Sequence, residues 1–426
     1  MPVPVTPPRV LDVLLPTLGS AGDVHPMIAI GLALRARGHR ATVITSPYHQ
    51  ALIERQGLGF LPVGTLAEAE AAIHDPDLWH PRRGFRVVAE RVIAPATPLI
   101  YRLIEARAGP GTVIVGSSIA FGARLAAEKL GLPLATLHLQ PAVIRSLADH
   151  GMFGDLRLSA RQPRWWKRSL IGLADWLVID RQLGPPLNEF RATLGLAPVR
   201  HILGDWLHSP RAVIGAFPEW YAERQPDWPA QLTLTGFPLW DGGDATALPA
   251  AAESFLAAGP ASVVFTAGSA AATQHAFFRE SLAAVRRLGV RAMLVTNHAA
   301  QLPASLPAGV AAFGYLPFSR LLPRAAALVH HGGIGTVAQA IHAGIPQLVV
   351  PSGHDQFDNG WRVTRLALGA SLPEARYRGA PAAALLARLL GDPSLGARVL
   401  ERSRLIDSNA ALAAACRVIE ALAPRV

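Results

Sequence analysis

Short apolar runs alternate along the chain with longer segments whose apolar positions recur every three or four residues. Leu11 to Leu15 predicts a buried strand, Thr17 to Pro26 breaks the pattern as a loop, and Met27 to Arg37 carries helical spacing up to Gly38. Ala41 to Thr45 and Val113 to Val115 predict further strands. The second half repeats the scheme: a strand at Ser262 to Phe265, a glycine turn over Thr266 to Ser269, a helix to Arg287 and a strand at Ala292 to Thr296. Ala326 to Val329 predicts another strand, followed by glycines 332, 333 and 335, a helix from Thr336 and a strand at Gln347 to Val350. Gly344 with Ile345-Pro346 is a helix stop, glycine suiting the left-handed position and proline unable to continue. Strand, helix, strand in alternation predicts parallel sheets of the α/β class. Gly236 to Leu248 is rich in turn formers and separates the two series.

Composition fits two cores: 426 residues, half of them hydrophobic. With one cysteine, Cys416, the chain cannot form an internal disulfide framework, and a reducing cytoplasm is expected. The Pro-rich start lacks a basic n-region and Asp12 interrupts the apolar run that follows, so no signal peptide is expected. No apolar run approaches the ~20 residues that span a bilayer. The net charge of +10 is carried almost wholly by scattered arginines, with no nucleic-acid motif, and nucleic acid is not expected as a partner. From Arg161 to Leu177 basic residues interleave with Trp165, Trp166 and Trp176. Such a pattern suits an amphiphilic acceptor or a headgroup boundary, and equally a surface helix packed on its own domain.

The glycine turn at His330 to Gly335 has the chemistry of an anion site. Missing Cβ atoms let a phosphate approach, free N–H groups at the helix start point toward it, and the macrodipole favours negative charge. His331 and Thr336 add side-chain donors. No lysine follows the glycines, so this is not the Walker pattern, and a tight turn without ligand is the alternative. In the first half, Asp23 and His25 fall beyond the carboxyl end of the first strand, where open parallel sheets bind ligands. A helix cap is the structural alternative for Asp23.

His331-Gly-Gly-Ile-Gly-Thr336, Gln339, Gly344-Ile-Pro346, Pro351 and Asp355-Gln356, in this order and spacing, resemble the donor-binding motif of the family 1 nucleotide-sugar glycosyltransferases. The resemblance covers nearly the whole chain. It implies the GT-B fold, two Rossmann-like domains facing across a cleft: an acceptor domain at 1–236, a linker at 237–250, a donor domain at 251–405 and a helix at 406–426 packing back on the first domain. It also implies that His331, with His330 beside it, and Gly333, Gly335 and Thr336 hold the pyrophosphate. Thr266, Gly268 and Ser269 form a second turn against it, Tyr315-Leu316-Pro317 lies against the base, and Gln339 stands near the ribose. Asp355 and Gln356 would bond the sugar hydroxyls, with Gly22 and His354 completing the donor set.

Plant members read Gly-His-x-x-Pro in the first loop, and counting back from Pro26 puts Asp23 at the position of their catalytic base. Bacterial and sterol-type members read Gly-Asp-Val there, as this chain does. Asp23 is therefore expected as the base, with His25 as a further catalytic candidate. Gly116-Ser-Ser118 lacks the aspartate that orients a catalytic histidine, which agrees. Trp79, His138, Trp165 and Trp166 are the expected acceptor contacts. Within the family the chain looks most like the second-subunit rhamnosyltransferases of rhamnolipid biosynthesis, implying dTDP-L-rhamnose as donor and a hydroxy-fatty-acid ester as acceptor. UDP-glucose with a sterol, terpenoid or phenol is the alternative, and a catalytically silent binding subunit is a third. No cofactor beyond the nucleotide sugar and no metal are expected, and a peripheral contact with the inner face of the membrane is the remaining partner reading.

Overall fold

The first sheet contains β1 (Asp12–Pro16), β2 (Arg40–Thr45), β3 (Gly59–Pro62), β4 (Thr112–Ser117) and β5 (Leu134–His138). A hairpin of β6 (Gly151–Phe153) and β7 (Leu156–Leu158) follows, and β8 (Ala212–Gly215) and β9 (Leu232–Leu234) complete the sheet. The seven strands run parallel in the order β3-β2-β1-β4-β5-β8-β9. The second sheet is parallel too, in the order β12-β11-β10-β13-β14-β15. Its strands are β10 (Val263–Thr266), β11 (Ala292–Val295), β12 (Val310–Phe313), β13 (Ala327–His330), β14 (Gln347–Val349) and β15 (Gly369–Ser371). This computed structural model describes residues 10–242, 247–269 and 274–423.

The continuous apolar runs are explained by burial on both faces. Val13 and Leu15 enter one core and Leu14 the other; Phe265 and Val329 likewise part from Val264 and Leu328. In each sheet the strand order reverses once, between β1 and β4 and between β10 and β13. At these reversals the helices leave to opposite faces and open a crevice beyond the carboxyl ends of the strands.

The first helix, α1 (Ala21–Ala36), begins six residues before the helical spacing predicts. Ser20 caps it and the Asp23 side chain reciprocates in a capping box, while Pro26 gives up one backbone bond inside the helix. Four other helices matter below: α2 (Arg164–Ala174), α3 (Ile334–His342), α4 (Gln356–Arg365) and α5 (Ser408–Glu420). Asp407 caps α5 through the Ala410 N–H at 2.9 Å. From there α5 returns to the first domain, where Glu420 accepts bidentate bonds from Arg37 at 2.6 and 2.8 Å on the end of α1. Ser408 ties the start of α5 to the connecting segment, accepting from Leu239 N at 3.0 Å and donating to the Phe237 carbonyl at 3.0 Å. Among the described residues no helix is long and apolar enough to cross a membrane.

Candidate active site

Asp23 lies at the third position of α1, just past the carboxyl end of β1. Its Oδ2 accepts from Ser20 N at 2.9 Å and Ser20 Oγ at 3.3 Å, which leaves Oδ1 unengaged. Gly19, at φ +119°, makes this placement possible: a Cβ there would stand 2.2 Å from Asp23 Oδ2. Burial raises the carboxyl to about 6, against the lowering effect of the two Ser20 bonds. The side chain is thus a cap whose carboxyl is held near neutrality. His25, two residues on, stands edge-on to Trp240 of the connecting segment, ring centroids 5.1 Å apart. Burial, and then the neighbouring His49, press it down to about 4, so it is neutral.

Across the crevice, His331 follows β13 directly and meets the start of α3. Its imidazole is wedged between two glycine backbones. A Cβ on Gly268 (φ +100°) would lie 2.9 to 3.1 Å from three ring atoms, and one on Gly333 would lie 2.5 Å from Nε2. Burial lowers the ring to about 4, and its buried Nδ1 has no partner among the described residues. Gly333 begins α3 with no side-chain cap, so the first N–H groups of the helix are also uncommitted, and the space beside Gly335 is open. An orphaned ring nitrogen, an uncapped helix start and bare backbone meet at one point, an arrangement that suits an anion. Thr266 holds the facing turn, its Oγ1 accepting from Gly268 N at 3.3 Å, with Ser269 exposed beyond it.

Asp355 heads α4, its Oδ2 accepting from Asn359 Nδ2 at 2.7 Å. Burial raises its carboxyl to about 7, and Asp23 across the crevice adds to the rise. The two carboxyl groups, one from each domain, therefore share one field. Asn359 is fully buried; it also donates to the Gly332 carbonyl at 2.9 Å and accepts from the Tyr221 hydroxyl of the first domain at 3.0 Å. Sequence reasoning passed over Gly19, Ser20, Tyr221 and Asn359. A capping-box spacing could have disclosed Ser20; the 138-residue separation of Tyr221 and Asn359 left no local signal.

The remaining expected residues each have a defined setting. His330 is fully buried, with Gly332 N donating to its Nδ1 at 3.1 Å and its Nε2 bonded to Gln347 Oε1 at 2.9 Å, so it orders the turn and has no nitrogen left for a ligand. His138 is equally enclosed, Nδ1 beside Ser118 Oγ at 2.8 Å and Nε2 beside His208 Nδ1 at 2.9 Å, which removes it from acceptor contact. The Leu316 side chain belongs to the core of the second domain. Tyr315 bonds the Asp241 carbonyl at 2.5 Å, and buried Pro317 starts the next short helix. Gln356 spends its Oε1 on Ser352 N, Ser352 Oγ and Gly353 N at 2.9, 3.1 and 3.2 Å, leaving its amide nitrogen. Gln339 is buried on α3 with no hydrogen bond from its side chain to the described residues.

Trp79, expected at the acceptor, lies 6.4 Å from the His331 ring and 5.4 Å from that of His354. His354 holds this loop through the Leu78 carbonyl at 3.1 Å, in a left-handed conformation (φ +54°) unusual outside glycine. Trp79, His331, Gln356 and Ser352 line a crevice that opens to solvent. Trp165 points outward, 71% exposed, while Trp166 is half-buried on the same helix. Among the described residues no group of three or more His, Cys, Asp or Glu is arranged to hold a metal ion.

Residues 280–423 match the family described as erythromycin biosynthesis protein CIII-like, C-terminal domain, and residues 13–148 match the glycosyltransferase family 28 N-terminal domain. The chain is 28% identical to the O-mycaminosyltylonolide 6-deoxyallosyltransferase of Streptomyces fradiae, over 96% of this chain and 97% of that protein. It is 30% identical to the dTDP-epi-vancosaminyltransferase of Amycolatopsis orientalis, over 80% and 79%. Among solved structures, the glycosyltransferase of kitacinnamycin superposes with a TM-score of 0.73 at 19% identity, over 98% of this chain and all of that one. SsfS6 of Streptomyces sp. SF2575, complexed with thymidine diphosphate, superposes with a TM-score of 0.62 at 21% identity, over 96% and 99%.

Proposed function

The chain belongs to the family 1 GT-B glycosyltransferases, and we propose that it transfers a deoxyhexose, L-rhamnose from dTDP-L-rhamnose, to the hydroxyl of an amphiphilic acceptor such as a hydroxy-fatty-acid ester. The observation that carries this reading is His331, wedged between Gly268 and Gly333 with Nδ1 unpartnered among the described residues at the uncapped start of α3, opposite Asp23. In this reading the diphosphate takes the imidazole N–H and the backbone donors, and Trp79 closes over it. Asp355 and the free amide of Gln356 bond the sugar hydroxyls. Asp23 Oδ1 removes the acceptor's hydroxyl proton, and the oxygen bonds to C1 from the face opposite the diphosphate. The C1–O bond to phosphate breaks with its electron pair, so the anomeric centre inverts. The charge growing on the leaving diphosphate meets donors already in place, contacts that each contribute on the order of 10² to 10³ in rate. The reaction so written needs neither metal nor cofactor.

A thymidine carrier is favoured by the relative named for a dTDP-sugar and by the structural neighbour that binds thymidine diphosphate. Gln339 supports the same choice. A glutamate there would present two acceptor oxygens to a 2′,3′-diol, whereas an amide presents one and no charge. Thymidine nucleotides have no 2′-hydroxyl and lose little. The test is the rate with dTDP-L-rhamnose against UDP-glucose, in wild type and Gln339→Glu, read by mass of the glycosylated product. Preference for dTDP-L-rhamnose is expected, with a few-fold gain for the uridine donor in Gln339→Glu, about one hydrogen bond's worth. Wild-type preference for UDP-glucose would replace this donor assignment.

A further inference from the structure

Helix α2 and its continuation to Asp180 are built inside out. Lys167, Ile171, Asp175 and Ile179 follow at four-residue intervals, and all four are buried. Trp165, Leu173, Trp176 and Leu177 face outward with 71, 53, 63 and 43% of their surface exposed. The inward charges are satisfied at specific partners: Lys167 Nζ donates to the Ala148 and Ser159 carbonyls at 2.6 and 2.9 Å, and Arg145 bonds Asp175 at 2.7 Å. Burying a lysine and an aspartate while two tryptophans stay in water opposes the hydrophobic effect. Lys167 and Asp175 are held inside by dedicated partners, beside Ile171 and Ile179, while the outer row is apolar and exposed.

The surrounding charge specifies a partner for that row. Arg161, Arg168 and Arg181 are exposed, and none forms an ion pair among the described residues. Both acids of the stretch are engaged: Asp175 with Arg145, and Asp180 as acceptor for His201 N and Ile202 N at 2.9 and 3.1 Å. We propose that this face docks peripherally on an anionic lipid bilayer, with Trp165, Leu173 and Trp176 entering the headgroup boundary and the three arginines meeting lipid phosphates. Tryptophan prefers that boundary, and arginine can keep its charge among headgroups while its stem lies along the apolar surface. No bilayer-crossing helix is required, and the docking does not depend on which sugar is transferred.

The test is sedimentation of the full chain with vesicles of equal parts phosphatidylglycerol and phosphatidylcholine, and with phosphatidylcholine alone. Binding to the anionic vesicles is expected, weakening as salt rises. The double variant Leu173→Ser/Trp176→Ser should bind them roughly tenfold or more less. Arg161→Gln/Arg168→Gln should lose the preference for anionic lipid. Thermal melting and dTDP titration of each variant show that the fold and the donor site are intact. Wild type that stays in the supernatant, or a Leu173→Ser/Trp176→Ser variant that binds as wild type does, overturns the proposal. So does a dimer in analytical ultracentrifugation that this variant dissociates, since the face would then be covered by a second copy.

Discussion

The His331 imidazole lies against the bare Cα of Gly268, where a methyl group would stand 2.9 Å from Cε1 and 3.0 Å from Nδ1. The two residues come from different βα turns of the same sheet, after β10 and after β13, so the missing side chain of one fixes the position of the other. Gly268→Ala should therefore displace the ring and also strain a backbone held at φ +100°. A stability loss of about 1 to 3 kcal/mol is expected, with weaker dTDP binding. Denaturant melts and calorimetric titration of the same preparation measure both. Unchanged dTDP affinity would mean that the ring's position is immaterial to the ligand.

The carboxyl of Asp23, raised to about 6 by burial, predicts the pH profile. A base acts ionised, so transfer should climb as pH rises through about 6 and level off above it. Asp23→Asn retains an oxygen for the Ser20 N–H and so keeps the cap. It should lower transfer by ~10² to 10⁴ with dTDP affinity nearly unchanged. Stability separates the cap from the base. Because the folded carboxyl titrates above its ordinary value of 3.8, the fold binds that proton more tightly than the unfolded chain does. Ionisation thus withdraws stability as pH rises from about 4 to about 6, and Asp23→Asn should gain relative to wild type over the same interval. Melts at pH 4.5 and pH 8 read this, and an equal offset at both would contradict the buried, raised carboxyl.

Asn359 joins Tyr221 of the first domain to Asp355 and to the carbonyl of Gly332 in the second. Asn359→Ala leaves the buried Tyr221 hydroxyl and Gly332 carbonyl unpaired, at a cost of at least ~2 kcal/mol, and frees the half-buried Asp355 to move. Tyr221→Phe removes only the hydroxyl and should cost about 1 kcal/mol. Transfer rate should fall further in Asn359→Ala than in Tyr221→Phe, because only the former releases the aspartate. Equal rates in the two variants would show that Asn359 serves packing alone.

Strands such as β1 and β13 were legible because burial on two faces makes each an unbroken apolar run, Val13-Leu14-Leu15 being one case, whereas the half-buried β3 and β12 were not read. Nor was the start of α1. Pro26 reads as a helix opening, while the capping box of Ser20 and Asp23 acts through hydrogen bonds that hydrophobic periodicity does not register. His330 and His331 are neighbours with opposite fates, one inside the sheet and one at the crevice. Which is which depends on where β13 ends. The domain-spanning contacts, Tyr221 with Asn359 and Leu78 with His354, join residues 138 and 276 positions apart and carry no local pattern at all.

The central claim is that the His331 pocket receives the diphosphate of the donor, and titration of dTDP into wild type and His331→Ala by calorimetry tests it most directly. Loss of a hydrogen bond to a charged group is worth about 1.5 to 3 kcal/mol, so affinity should fall tenfold or more. The loss should be as large for dTDP as for dTDP-L-rhamnose, since both carry the diphosphate. Equal dTDP affinity in the two proteins, or a loss confined to the sugar nucleotide, would contradict the assignment.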